Sequence, residues 1–395
     1  MKIFLKNQIL KFVNNPSKDI LSSQTLYEAM FYLLNVRDEI DDSQRNLANL
    51  IVQTQLEDGG FDIGYDFQFG PNLSKTHEKE GTSPELLSLV ALAKYYRRDS
   101  SNLLVKDAID KGVNWILSRV VKLENNQYAI PYAPDSYRGI HITNATSFCI
   151  SALAHCLEFM DNEQKAKAEV TLDGMYQFMA AQLEPHGNSS YWPYFYQGAT
   201  GEEKLNINNK IDNYHMAQQL YHHILAEEYY PSKDNLKAIN LVGNYLLTLV
   251  DESGYIPYTN FEGRISDKVH LWGYASLIPA FVRLYAITNQ SQLLVGAESV
   301  KKYILDNCYI GPHFAPIILN SDKTMFDTNF YPRSDAWVIH GLSELKLIGA
   351  FDLDTERSCS ASFEACERQS FRGLENHAVT WRMKVFASLV RFFIH

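Results

Sequence analysis

Residues 211–230 read IDNYHMAQQLYHHILAEEYY. They form an apolar helical segment that carries Asp212 and His215 in its first turn and has no continuous charged face. Five more segments of this kind begin near Ser23 (SQTLYEAMFYLLN), Ser83 (SPELLSLVALAKYY), Thr143 (TNATSFCISALAHCLEF), Val269 (VHLWGYASLIPAFVRLYAIT) and Ser334 (SDAWVIHGLSELKLIG). Six helices at a spacing of roughly 60 residues signal a repeat architecture.

Working outward, the intervening stretches are amphipathic in another way. DSQRNLANLIVQTQ, NLLVKDAIDKGVNWILSRVV, EQKAKAEVTLDGMYQFMAAQ, DNLKAINLVGNYLLTLV and SQLLVGAESVKKYILDN each have one apolar stripe and a charged opposite face. That pattern suits a solvent-facing layer. The chain thus alternates an inner helix with an outer one. Each outer helix is followed by a segment rich in Gly, Tyr and Pro: DGGFDIGYDFQFGP, NNQYAIPYAPDSYRG, GNSSYWPYFYQG, ESGYIPYTNFEG, and GPHFAPIIL through NFYP. These turns all precede inner helices, so they should converge on one face. The expected fold is all-α, an (α/α)6 toroid of six helical hairpins forming one domain over residues 1–395, closed by an amphipathic helix near HAVTWRMKVFASLVRFF. The polar segment 352–375 reads as an irregular helix or a long loop. An open helical solenoid, which needs capping ends, is the structural alternative.

The chain has 395 residues, 46% hydrophobic and 13% aromatic, with a formal net charge of -10. An acidic balance argues against nucleic acid or an anionic membrane as the main partner, since both need a basic face. The N-terminal residues MKIFLKNQILKFVNNPSKDI break their apolar spacing with Lys6, Asn7, Gln8 and Lys11 and do not read as a signal peptide. No segment approaches the roughly 18 uninterrupted apolar residues of a membrane span. A soluble, cytoplasmic protein is expected, with export lacking a leader as the alternative, and the oligomeric state stays open. The five cysteines form no CxxC and have no histidines at zinc spacing, so neither metal nor cofactor is expected. Phosphate loops, dinucleotide fingerprints, nucleophile elbows, HExxH and EF-hand loops are absent from the sequence.

The alternating hairpins with the aromatic turns YWPY and YIPY resemble the six-hairpin glycosidase-like superfamily, whose (α/α)6 toroids include hydrolases, lyases and epimerases of carbohydrates. The resemblance implies a carbohydrate substrate held in the toroid cavity. A local second resemblance joins QLEDGGF, at Gln55 to Phe61, to the turns of prenyltransferase β-subunits and terpene cyclases. This chain lacks the DxDD acid motif of the cyclases and the zinc-binding Asp, Cys and His of the prenyltransferases. A Gly-Gly turn after a helix also has purely local reasons.

In such a toroid the N-termini of the inner helices surround the cavity mouth. The candidates there are Tyr65, Asp66 and His77 at the second inner helix, and Asp135, Tyr137, Arg138, His141 and Asn144 at the third. Trp192, Tyr194, Asp212 and His215 stand at the fourth, His270 and Trp272 at the fifth, and Arg333, Asp335 and Trp337 at the sixth. Aromatic rings offer flat apolar faces to the C–H side of a pyranose, while carboxylates and imidazoles handle protons at its oxygens. The catalytic set expected is Asp212, His215 and Asp335. Tyr65, Asp66, His77, Arg138, Trp192, Tyr194, His270, Trp272, Arg333 and Trp337 are expected to bind substrate.

Asp212 and Asp335, at matching places in their helices, could serve as the acid and base of glycoside hydrolysis. They could equally be helix-terminal acids favoured by the macrodipole, and the aromatics could be core packing. A lyase or C5-epimerase route would use His215, His270, Tyr194, Tyr65, Arg138 and Arg333 instead, with a base taking a proton beside a carboxylate and a cation steadying the charge. His222 and His223 read as structural. Two other classes remain. A terpene or prenyl enzyme predicts an apolar cavity, and a toroid that serves only as a binding scaffold predicts no convergent acids.

Overall fold

The computed structural model describes residues 22–64, 67–70, 73–75, 81–132, 143–194, 210–261 and 264–368. Its helices form six hairpins in chain order: α1 (Ser23–Val36) with α2 (Asp42–Gln53), α3 (Leu87–Arg98) with α4 (Leu103–Arg119), α5 (Thr143–Cys156) with α6 (Asn162–Ala181), α7 (Asn213–Glu227) with α8 (Lys233–Thr248), α9 (Leu277–Thr288) with α10 (Ser291–Cys308), and α11 (Pro332–Ser343) with α12 (Leu353–Cys366).

Odd-numbered helices form the inner ring and are buried over most of their faces. All of α5, TNATSFCISALAHC, is buried. In α4, by contrast, the buried residues Val105, Ala108, Ile109, Gly112, Val113 and Ile116 recur at three- and four-residue steps, leaving a wet opposite side. Five of the six outer helices start at side-chain caps: Asp41, Asn102, Asp161, Ser232 and Asp352 each accept a backbone N–H in the first turn. The ring closes where α11 packs against α1, so the inner helices run α1, α3, α5, α7, α9, α11 and back to α1. That is a closed toroid, not a solenoid.

The turns that lead into inner helices form small antiparallel ladders of two to four residues per strand. One of them runs straight into an inner helix and another into the helical turn before one. Lys210–Asp212 pairs with Thr259–Phe261, and Lys268–His270 pairs with Ile317–Leu319. Helix was expected from Ile211 and Val269, but these residues are strand because the following hairpin's turn supplies backbone partners. After His270 comes one helical turn, Leu271–Tyr274, before α9. Pro279 has no N–H with which to continue the ladder onto Ala275, whose carbonyl accepts from Ile278 instead (3.2 Å).

The polar segment expected to be irregular holds the regular helix α12, begun by Asp352 accepting from the Thr355 N–H (2.9 Å). The amphipathic stretch HAVTWRMKVFASLVRFF lies outside the described residues.

Candidate active site

At the mouth, the N-terminus of α7 is pinned by the YIPY turn. The Asn213 N–H donates to the Tyr258 carbonyl (3.0 Å), and Asn213 Nδ2 donates to that of Pro257 (2.8 Å). Register pairs Asp212 with Thr259, and the neighbouring Tyr258 hydroxyl donates to the Asp212 carboxylate. Asp212 caps α7 by accepting the His215 N–H at Oδ1 (3.0 Å). Its Oδ2 lies 2.8 Å from His215 Nδ1. The carboxylate is wholly shielded while the imidazole keeps 19% exposure, so the ring is the only part of this pair that a ligand can touch.

Around His215 the rings form one wall. Tyr194 meets it edge to face at 5.0 Å and Trp272 at 5.3 Å. Trp272 in turn meets Trp337 at 5.4 Å, and the Arg333 guanidinium lies 5.6 Å from the centre of the Trp272 ring. These five residues come from separate parts of the chain: Tyr194 in the segment after α6, His215 in α7, Trp272 in the helical turn before α9, and Arg333 and Trp337 in α11. They carry an aromatic platform, an imidazole backed by a carboxylate, and a cation.

Below the mouth, a small pocket with room for about one water molecule is lined by Glu28, Gln218, Tyr221, His222, Ser276, Trp337 and His340. Its floor is a buried ionic network. Glu28 Oε2 lies 2.5 Å from His340 Nδ1, and the Tyr221 hydroxyl, 3.1 Å from His340 Nε2, donates to Glu344 (2.9 Å). Arg283 donates to Glu344 (2.7 Å) and to Glu228 (2.9 Å). Burial lifts Glu28 above the usual carboxylate range against the pull of His340. Burial would lower His340, but the Glu28 charge prevails and lifts it. For Glu344 burial is outweighed by Arg283, which holds it well below its ordinary value. Lys94 lies 5.3 Å over the Phe31 ring and is lowered to about 8 by burial.

The other expected residues are placed as follows. Trp192 is in the core, 1% exposed, stacked on His223 (4.7 Å) and donating to the Met179 carbonyl (3.0 Å); its ring has no face left for a substrate. The side chain of Asp335 is also fully buried. Its Oδ1 accepts from the Phe314 N–H (3.1 Å) and the Ser362 hydroxyl (2.7 Å), which ties α11 to the preceding turn and to α12. His270 packs on Tyr258 (4.7 Å) beside the Asp212 carboxylate. His223 is held between Asn235 (2.6 Å) and Ser147 (3.1 Å). Tyr65, Asp66, His77 and Arg138 lie outside the described residues. Sequence reasoning missed Glu28, Gln218, Tyr221, Arg283, His340 and Glu344. The only sign of them was a polar side chain amid helices otherwise buried all round.

The chain is similar in structure to the cellobiose 2-epimerase of Bacillus thermoamylovorans B4167, with 12% identity, coverage of 82% of this chain and 87% of that one, and a TM-score of 0.62. It is similar to a sugar epimerase from a ruminal bacterium at 15% identity, 82% and 87% coverage and a TM-score of 0.63. A glycoside hydrolase family 76 mannosidase from Bacteroides thetaiotaomicron VPI-5482 shares 11% identity over 82% of this chain and 86% of that one, with a TM-score of 0.54. No family model and no curated protein matches the sequence. At these identities the likeness is one of fold, and the shared fold is the (α/α)6 toroid.

Proposed function

We propose that the chain is a carbohydrate-active enzyme, a sugar epimerase or isomerase that moves a proton at a carbon next to a carbonyl. The observation that carries this reading is the Asp212–His215 pair set between Tyr194 and Trp272 at the toroid mouth. With Nδ1 turned to Asp212, the lone pair on Nε2 points away from the carboxylate, and a sugar laid on the aromatic wall would present a C–H bond to it. Removing that proton turns the carbonyl into an enolate. Returning it to the other face inverts the carbon; returning it to the former carbonyl carbon, while the hydroxyl proton passes from the neighbouring oxygen to the former carbonyl oxygen, moves the carbonyl. Arg333, on the far side of Trp272, adds positive potential near the developing charge.

Two-carboxylate hydrolysis is supported less, because the side chains of both Asp212 and Asp335 are shielded and engaged by backbone N–H groups. An isoprenoid substrate fits poorly above a floor of Glu28, Gln218 and His340. The similarity in fold to proteins described as sugar epimerases favours the same substrate class.

The test is proton NMR of cellobiose and D-mannose in deuterated buffer. Exchange at the carbon beside the carbonyl is expected with the wild-type protein. His215→Asn should slow it by about 10²–10⁴-fold at an unchanged melting temperature. Release of monosaccharide from cellobiose without C–H exchange would show hydrolysis instead and end this reading.

A further inference from the structure

The pocket under the mouth contains two donors that nothing among the described residues satisfies. The indole N–H of Trp337 and the amide Nε2 of Gln218 are both buried without a partner, in side chains 8% and 3% exposed. Both line the same pocket. A buried donor left unpaired is costly, and such groups nearly always have partners. An indole nitrogen can only donate, so whatever completes it is an acceptor.

The nearest charged acceptor lining the pocket, Glu28, turns its Oε2 to His340. The space holds about one oxygen-sized atom, too little for a sugar ring. Gln218 follows His215 by one helical turn, about 4.5 Å along the axis. Trp337 reaches His215 through Trp272.

We propose that this pocket is an oxyanion seat: Trp337 Nε1–H and Gln218 Nε2 receive the carbonyl oxygen of the open-chain sugar and hold it as it becomes the enolate oxygen when His215 takes the adjacent proton. The inference rests on the reaction proposed above. Donors fixed in a dry pocket and aimed where charge develops act on the transition state more than on the ground state. The base and the seat belong to one substrate, with the C–H toward the mouth and the oxygen toward the floor. An aldose or ketose in its open-chain form is therefore the class accepted.

The experiment reads the indole N–H signals of 15N-labelled protein during titration with cellobiose and with D-mannose, with Trp337→Phe assigning the signal. A saturable downfield shift of the Trp337 N–H is expected. Trp337→Phe keeps an aromatic ring but no donor, and should cut the C–H exchange rate by about 10²–10³-fold with a smaller change in KM. Gln218→Leu keeps the volume, should lower the rate in the same sense, and reads the proposal independently if Trp337→Phe does not fold. A sugar that shifts other indoles and exchanges its C–H bond while the Trp337 N–H stays still would overturn the seat and leave the proposed reaction standing. Wild-type exchange rates in folded Trp337→Phe would do the same. If neither sugar perturbs any indole nor exchanges, seat and reaction fall together.

Discussion

Asp335 illustrates how burial decides the role of a single residue. Read from sequence, it matches Asp212 as a helix-terminal acid and so pairs with it as a candidate for catalysis. In the fold its carboxyl is closed off and pushed up to about 7 by burial, while Ser362 and the Phe314 N–H pull the other way. The native state therefore holds its proton more tightly than the unfolded chain between pH about 4 and 7. Its contribution to stability is fully present at acid pH and is lost as pH rises through about 7, by at most about 1.4 kcal/mol per pH unit. Asparagine can accept the same two hydrogen bonds at Oδ1 and carries no charge. Asp335→Asn should accordingly match the wild type in melting temperature near pH 4 and exceed it near pH 8, with sugar exchange retained. A pH-independent difference, or loss of turnover, would return Asp335 to the catalytic set. Histidines divide in the same way: His215 keeps an open edge, whereas His222 and His223 are pushed down by burial.

At the scale of elements, close approach between helices sets the fit. A Cβ on Gly341 of α11 would stand 2.6 Å from the carbonyl oxygen of Ala275, a backbone atom that cannot turn aside. Gly341→Ala gains about 1 kcal/mol of helix propensity but forces α11 and the start of α9 apart. Overpacking of this kind costs about 1–3 kcal/mol, so the clash wins and denaturant melts should show net destabilisation. Gly243 of α8 is the contrast: its nearest obstacle, at 2.1 Å, is the Leu284 Cδ2 methyl, the end of a side chain that can rotate. Gly243→Ala should cost less, and equal costs at the two positions would show that backbone contact is not what matters. The helices themselves were legible, because inner and outer faces have different periodicities within each segment. Strands 210–212 and 268–270 were not, since their partners lie about 50 residues on and no local pattern announces them. Of the candidate site, the residues at or near helix starts, Asp212, His215, Trp272, Arg333 and Trp337, together with Tyr194, were legible. It was hidden mid-helix, where Glu28 and His340 look like lone polar residues in apolar runs. Trp192 misled because an aromatic beside a mouth residue can still face the core.

For the whole molecule, the repeat period pointed to a toroid with an open solenoid as the alternative, and closure itself depends on the seam between α1 and α11. That seam is polar. Glu28 meets His340, 312 residues away in sequence, and Asn35 donates to Ser343 (2.9 Å) and Glu344 (3.1 Å). Removing one member of a buried ionic pair leaves the other uncompensated and costs about 3–5 kcal/mol, whereas replacing both with apolar side chains is often neutral or better. Glu28→Leu and His340→Leu should each lower the denaturation midpoint strongly. The double variant should lose much less than the sum, a coupling readable as a double-mutant cycle. Because the pair joins the two ends of the ring, its loss should also act on the ring as a unit. Hydrogen exchange would then accelerate in α1 and α11 together, and unfolding would remain a single transition. Additive costs, or faster exchange in one of the two helices alone, would mean that apolar packing closes the toroid and that the Glu28–His340 pair serves only the pocket it lines.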